Sequence, residues 1–214
     1  MFVLENFIRI HNYLKELKSK VTLVVISKTF SLEHIKPLIN FGHAHYGENK
    51  VQETINKWKE IIAINNNIKL HMVGKLQSNK ASEAVNIFSY IHSLDNEKLA
   101  NKLAAAEKNY AKNLKYFIQV NIGDEIQKSG VLLKETNHFF NYCVNDLHLN
   151  VVGLMCLPPA NIDPNKYFEK LKELSLNLNL SDLSMGMSND YKIAIKNGST
   201  YIRIGSAIFG ERVN

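Results

Sequence analysis

A chain of 214 residues, 45% hydrophobic and 21% charged, has enough apolar surface for one full core. Its formal net charge of +6 comes from lysines scattered along helical stretches, with no basic run and no zinc-finger or RNA-binding signature, which argues against a nucleic-acid partner. No apolar run approaches the roughly 20 residues of a membrane span.

From Met1 to about Leu17 the spacing predicts an amphipathic helix, and an early Glu5 without a basic leader argues against a signal peptide. After it, short β-rich runs alternate with helical patterns. Candidate strands are 22–27, 44–47, 69–73, 88–92, 115–121, 150–155, 181–185 and 200–204, with helical patterns at Leu32–Phe41, Asn49–Ile64, Asn96–Lys112, Lys134–Asp146 and Asp163–Leu176. This predicts an α/β fold, a single (β/α)8 TIM-type barrel preceded by an N-terminal helix, as one domain over 1–214. A doubly wound open sheet is the alternative, but it expects a glycine-rich turn after the first strand, and Ser27-Lys28-Thr29-Phe30-Ser31 has no glycine. Cys143 and Cys156 form no disulfide framework and are expected as buried thiols in a cytoplasmic protein.

The richest stretch comes late, in Leu183-Ser184-Met185-Gly186-Met187-Ser188-Asn189-Asp190 and Tyr201-Ile202-Arg203-Ile204-Gly205-Ser206-Ala207-Ile208-Phe209-Gly210. Each reads as a strand ending in small residues, an arrangement that turns backbone N–H groups toward a phosphate. Barrel enzymes often bind phosphate after their seventh and eighth strands, where Ser188 and Gly205-Ser206 fall. Alternation puts Tyr201, Arg203 and Gly205 on one face and Ile202 and Ile204 on the other, so Arg203 is expected to point into the barrel. On the first strand Val24, Ile26 and Lys28 share a face. A bland reading stands beside each feature: a solvated lysine, a plain Gly-Ser turn, and Ser188 as a helix cap. Their coincidence at one end of one barrel favours a site for pyridoxal phosphate (PLP). A rival is a metal-dependent hydrolase on His43-Ala44-His45, if both imidazoles share one face at a strand end. It lacks an obvious third ligand, and no metal is expected.

Several motifs together carry a family likeness: Val25-Ile26-Ser27-Lys28-Thr29, Tyr46-Gly47-Glu48-Asn49, His71-Met72-Val73-Gly74-Lys75-Leu76-Gln77-Ser78-Asn79-Lys80, Val120-Asn121-Ile122 through Lys128-Ser129-Gly130, Gly153-Leu154-Met155 and Phe209-Gly210-Glu211-Arg212. From about Val21 to Arg212 the chain resembles the pyridoxal-phosphate-binding homeostasis proteins, relatives of the alanine racemase N-terminal barrel. It departs at Lys50, where that family commonly has an aromatic.

The resemblance implies that Lys28 forms a Schiff base with the PLP aldehyde, and that Ser188, Gly205 and Ser206 hold its phosphate. It further implies that Arg203 faces the pyridine nitrogen, Asn49 lies near the ring hydroxyl and Met187 lines the pocket. Gln77-Ser78-Asn79-Lys80 has no derived role beyond helix capping by Ser78 or Asn79. An arginine stays charged and only donates, so it keeps the ring nitrogen unprotonated and weakens the electron sink. Related racemases add a second domain with a tyrosine base, which a chain ending at Asn214 is expected to lack. The expected role is therefore a non-enzymatic carrier in intracellular PLP homeostasis, with an amino-acid racemase as the alternative. Expected partners are PLP, small amines or amino acids and PLP-dependent apo-enzymes, with the protein a monomer or weak dimer.

Overall fold

The structure is a computed structural model and describes residues 2–18, 20–125 and 127–210. Helix α1 (Phe2–Glu16) comes first, followed by β1 (Thr22–Ile26), α2 (Leu32–Asn40), β2 (His45–Glu48), α3 (Val51–Ile64) and β3 (Lys69–Met72). A 3-10 turn (Ser78–Lys80) leads into α4 (Ala81–Ile87), then β4 (Tyr90–Leu94), α5 (Glu97–Tyr110), β5 (Lys115–Asn121) and a two-residue strand β6 (Val131–Leu132). The chain continues through α6 (Thr136–Asn141), which runs on into a π-helical turn, to β7 (Val151–Cys156) and α7 (Asn165–Asn177). Then come β8 (Asp182–Ser184), α8 (Tyr191–Lys196), β9 (Tyr201–Ile204) and α9 (Ser206–Phe209).

All strand pairings are parallel, and two of them close the sheet on itself: β9 against β1, with Arg203 opposite Val24, and β4 against β5, with Ile91 opposite Tyr116. The result is an eight-stranded parallel barrel wrapped by helices, with β6 hanging on the edge of β5. The predicted fold class is thus the observed one.

Strand alternation divides the apolar residues into two cores. Leu23, Val25, Ile202 and Ile204 face outward and pack with the helices, where Ile35, Leu38, Trp58, Leu103 and Phe168 are buried. Val24, Tyr90, Phe117, Met155 and Tyr201 fill the barrel. Phe7, Ile10 and Leu14 form the buried stripe of α1, which packs against α2 and α9. Asn6 Nδ2 donates to the Ile208 carbonyl at 3.1 Å and ties α1 to α9.

Three local expectations change. The fourth strand runs over 90–94, not 88–92, because the apolar pair Ile87-Phe88 ends α4. Short apolar runs do not distinguish a buried helix end from a strand. Helix 134–146 is broken by its 3-10 start and π-helical end. At Gln77-Ser78-Asn79-Lys80 the cap positions are Gln77 and Lys80, and no side chain closes either cap. Cys143 and Cys156 are buried free thiols as expected, with burial pushing both up to about 12. No helix among the described residues is long and apolar enough to cross a membrane.

Candidate functional site at the barrel mouth

A cleft of about 630 Å³ opens where the strands end, lined by Ile26, Lys28 and Phe30 at the end of and after β1, Met187, Ser188 and Asp190 after β8, and Arg203, Gly205 and Ser206 on and after β9. Pro158, Pro159 and Ile162 from the loop after β7 form the facing wall. Six of the seven site residues named from sequence therefore meet in one cleft. Asn49, just past β2, is half-buried and does not line it; its backbone abuts Gly74, where an added Cβ would sit 2.5 Å from the Asn49 carbonyl oxygen.

Lys28 is held on a pinned strand end. The Glu48 carboxylate, 1% exposed, takes hydrogen bonds from Ser27 Oγ at 2.7 Å and from Lys57 Nζ and Trp58 Nε1 at 3.0 Å. Lys57 Nζ also donates to the Ser27 carbonyl at 2.9 Å. Directly after the lysine, Thr29 adopts φ +70°, a left-handed conformation that a β-branched residue resists. The pairing below and the turn above fix where the half-buried lysine leaves the strand.

Across the cleft, backbone donors gather. The N–H groups of Gly205 and Ala207 point at Ser188 Oγ, at 3.4 and 3.2 Å. Ser188 is not a helix cap: α8 starts behind Asp190, whose Oδ1 accepts from the Met187 N–H at 2.6 Å. A Cβ at Gly205 would lie 3.4 Å from Ile26 Cβ, an ordinary van der Waals contact, so β9 runs close beside β1 at this height.

Arg203 points inward as its strand parity predicts and is only 4% exposed. It donates to Ser184 Oγ at 2.6 Å and to the Cys156 carbonyl at 2.9 Å. Burial lowers its pKa, yet a guanidinium starts so high that it stays charged.

Beneath Arg203 the barrel holds a feature that sequence reading overlooked. His45, His71 and His92 project inward and hydrogen-bond in series: His45 Nδ1 to His71 Nε2 and His71 Nδ1 to His92 Nε2, both at 2.9 Å. His92 Nδ1 then meets Ser184 Oγ at 2.7 Å. His71 stacks on Tyr90 and His92 on Phe117, at 4.2 and 4.3 Å between centroids. Burial holds both imidazoles well below the ordinary histidine range, so they are neutral. Strand parity could have found them, since His71 and His92 alternate with outward residues as His45 does.

The metal reading on His43-Ala44-His45 is overturned by placement. The pair precedes and opens β2, at the end of the barrel opposite the cleft. The rings also diverge: His43 packs on Phe7 outside the barrel, while His45 meets His71 inside. A β-strand parity argument fails for His43 because it lies before the strand.

Comparison with known proteins fits this geometry. The alanine racemase N-terminal domain family matches residues 4–213. A pyridoxal phosphate homeostasis protein of Aquifex aeolicus is 37% identical over 201 residues, covering 89% of this chain and 86% of that protein. The chain belongs to this family. Two structures of another protein, PipY from Synechococcus elongatus, superpose on this family member over 97% of its length and 100% of theirs. The one without PLP has a TM-score of 0.87 and 30% identity, and the one with PLP bound has 0.85 and 29%. In this alanine racemase N-terminal family barrel, the cleft lies where the strands end, as barrel enzyme sites do.

Proposed function

We propose that residues 1–214 act as one PLP-binding barrel that serves intracellular PLP homeostasis, holding the cofactor reversibly on Lys28. The observation that carries this reading is convergence: Lys28, Arg203, Ser188 and the N–H groups of Gly205 and Ala207 come from three strand ends and meet in one cleft. The set suits the group part by part. A phosphate wants several N–H and hydroxyl donors, an aldehyde wants an amine, and a pyridine nitrogen accepts from a guanidinium. Ile26, Phe30 and the proline wall supply apolar contact for a flat ring. The homeostasis name carried by a 37% identical relative and the PLP-bound PipY structure support the same ligand.

When bound, PLP supplies an aldehyde that joins a lysine amine as a Schiff base and passes to another amine by transimination. The chain's residues set how far chemistry goes beyond that. Arg203 donates and never accepts, so a ring nitrogen beside it keeps its lone pair and withdraws electrons weakly. Asp190, the carboxylate among the lining residues, is engaged by the Met187 N–H. Retention and release, rather than turnover, follow for a cytoplasmic carrier that donates PLP to amines or apo-enzymes.

Borohydride reduction of the protein with PLP, followed by peptide mapping, is expected to place the adduct on Lys28 and on no other lysine. Lys28→Ala is expected to abolish the adduct while leaving the fold's circular dichroism intact. An adduct retained at full stoichiometry in that variant removes the assignment. Amino-acid racemisation at rates typical of enzymes would replace the carrier reading with the racemase one.

A further inference from the structure

Arg203 presents an unusual accounting problem. A buried cation normally has a carboxylate partner, because an uncompensated one costs several kcal/mol. Here its hydrogen-bond partners among the described residues are Ser184 Oγ and the Cys156 carbonyl, and Asp190 acts on it only at longer range. Neutral dipoles must do the solvation.

The donor-only guanidinium fixes how those dipoles point. Ser184 Oγ accepts from Arg203, so its own proton goes to the remaining partner, His92 Nδ1. His92 then carries its proton on Nε2 and donates to His71 Nδ1. His71 in turn carries its proton on Nε2 and donates to His45 Nδ1. His45 is left with an Nε2–H at the far end, where it borders a groove shared with His11, Lys15 and His43. Every bond points away from Arg203 and every acceptor lone pair points toward it. Aligned in this way, three imidazoles and one hydroxyl place the negative ends of their dipoles toward the cation, and each polarises the next. Stacking on Tyr90 and Phe117 holds the middle rings against flipping.

We infer that His45, His71 and His92, with Ser184, are positioning residues: they form a ladder of one hydrogen-bond polarity, set by Arg203, that holds the guanidinium toward the ligand cleft. The inference rests on Arg203 serving the ligand, as proposed above. It has a consequence at the far end. The one ring nitrogen of His45 without a proton is already occupied by His71, so His45 cannot gain a proton unless the whole ladder reverses. The charged or titratable groups around His45 are Lys69 on β3, Lys115 on β5, His43 before its own strand, Tyr90 on β4, His71, and His11 and Lys15 of α1 along the shared groove. The two lysines oppose protonation as well. What distinguishes the ladder from these lysines is its dependence on Ser184 and Arg203.

The test is nitrogen-15 NMR of histidine-labelled protein without PLP. In the wild type all three histidines should be Nε2–H tautomers, with His45 remaining neutral from about pH 8 to about pH 5 despite its partial exposure. Arg203→Lys keeps a donor-only partner and should preserve the tautomers. Arg203→Met and Ser184→Ala should give mixed tautomers as far away as His45 and let it titrate. Mixed tautomers in the wild type, or no change in either disrupting variant, overturn the ladder. Its link to the ligand is read separately with His92→Leu. That variant should bind pyridoxine 5′-phosphate about tenfold more weakly, a loss of about 1.4 kcal/mol, and inorganic phosphate unchanged. Equal losses for both ligands would mean a purely structural role, and no loss for either would mean no positioning. The borohydride adduct on Lys28 depends on none of these outcomes, so the two readings fail independently.

Discussion

At the scale of single residues, the cleft is built by side chains whose freedom has been removed by their neighbours. Lys28 stands on a strand end that Glu48, Lys57 and Trp58 hold from below. Ser188 is different, because its hydroxyl oxygen is itself the partner of two backbone N–H groups. Removing that hydroxyl takes one polar group from the cradle without disturbing a buried contact, since Ser188 is half-exposed to the cleft. Ser188→Ala should therefore weaken PLP binding by about 1–2 kcal/mol, five- to thirtyfold, and change folding stability by less than about 1 kcal/mol. Titration of PLP monitored by absorbance, alongside urea denaturation, separates the two effects. A variant that binds normally would move the phosphate away from this loop.

At the scale of elements, the turn between β8 and α8 depends on one glycine. Gly186 has φ +93°, and a Cβ there would sit 2.5 Å from Ala194 Cβ and 3.0 Å from Tyr191 Cα. Its carbonyl accepts from the Arg203 N–H at 2.9 Å, so the turn also sets the height of the arginine. Gly186→Ala combines left-handed backbone strain with overpacking against α8, and should cost about 2–4 kcal/mol. A denaturation midpoint unchanged from wild type would show that the turn relaxes at no cost. This part of the site was legible in the sequence because the small residues after two late strands, each readable alone as a plain turn or cap, coincide with Lys28 and Arg203 at one end of the barrel. Asn49 was not legible in the same way. The family likeness places it near the ring, but in the structure it packs on Gly74 beside the cleft. Gly74 lies in the loop after β3, and no local pattern in 44–50 encodes that contact.

At the scale of the whole molecule, the barrel was readable because eight β-rich runs alternate with helices and each buried strand keeps its parity. What the barrel contains was less readable. Packed barrel interiors are dominated by branched apolar residues, so the inward strand parity of His71 and His92 runs against what a barrel core normally holds. That hidden choice has a global consequence. His71 and His92 are buried neutral, and burial lowers His43 to about 4. In the unfolded chain all three bind protons near pH 6.5. Below that pH the unfolded state holds more protons than the folded one, so stability falls as pH falls, by about 1.4 kcal/mol per unit for each histidine. These three give about 4 kcal/mol per unit between about pH 6 and pH 5, and His45, which burial also lowers, adds to the loss. The buried acids work in the opposite sense: burial raises Asp95, Glu107 and Asp182, so the folded state binds their protons more readily. They titrate in the unfolded chain near pH 4, so their offset is gained above that pH, as pH falls through their raised folded values. Urea midpoints measured from pH 7.5 downward should therefore hold steady to about pH 7 and then drop steeply. His92→Leu should make that drop shallower by about one histidine's share. A flat profile across this range would mean that the interior imidazoles accept protons without unfolding the barrel.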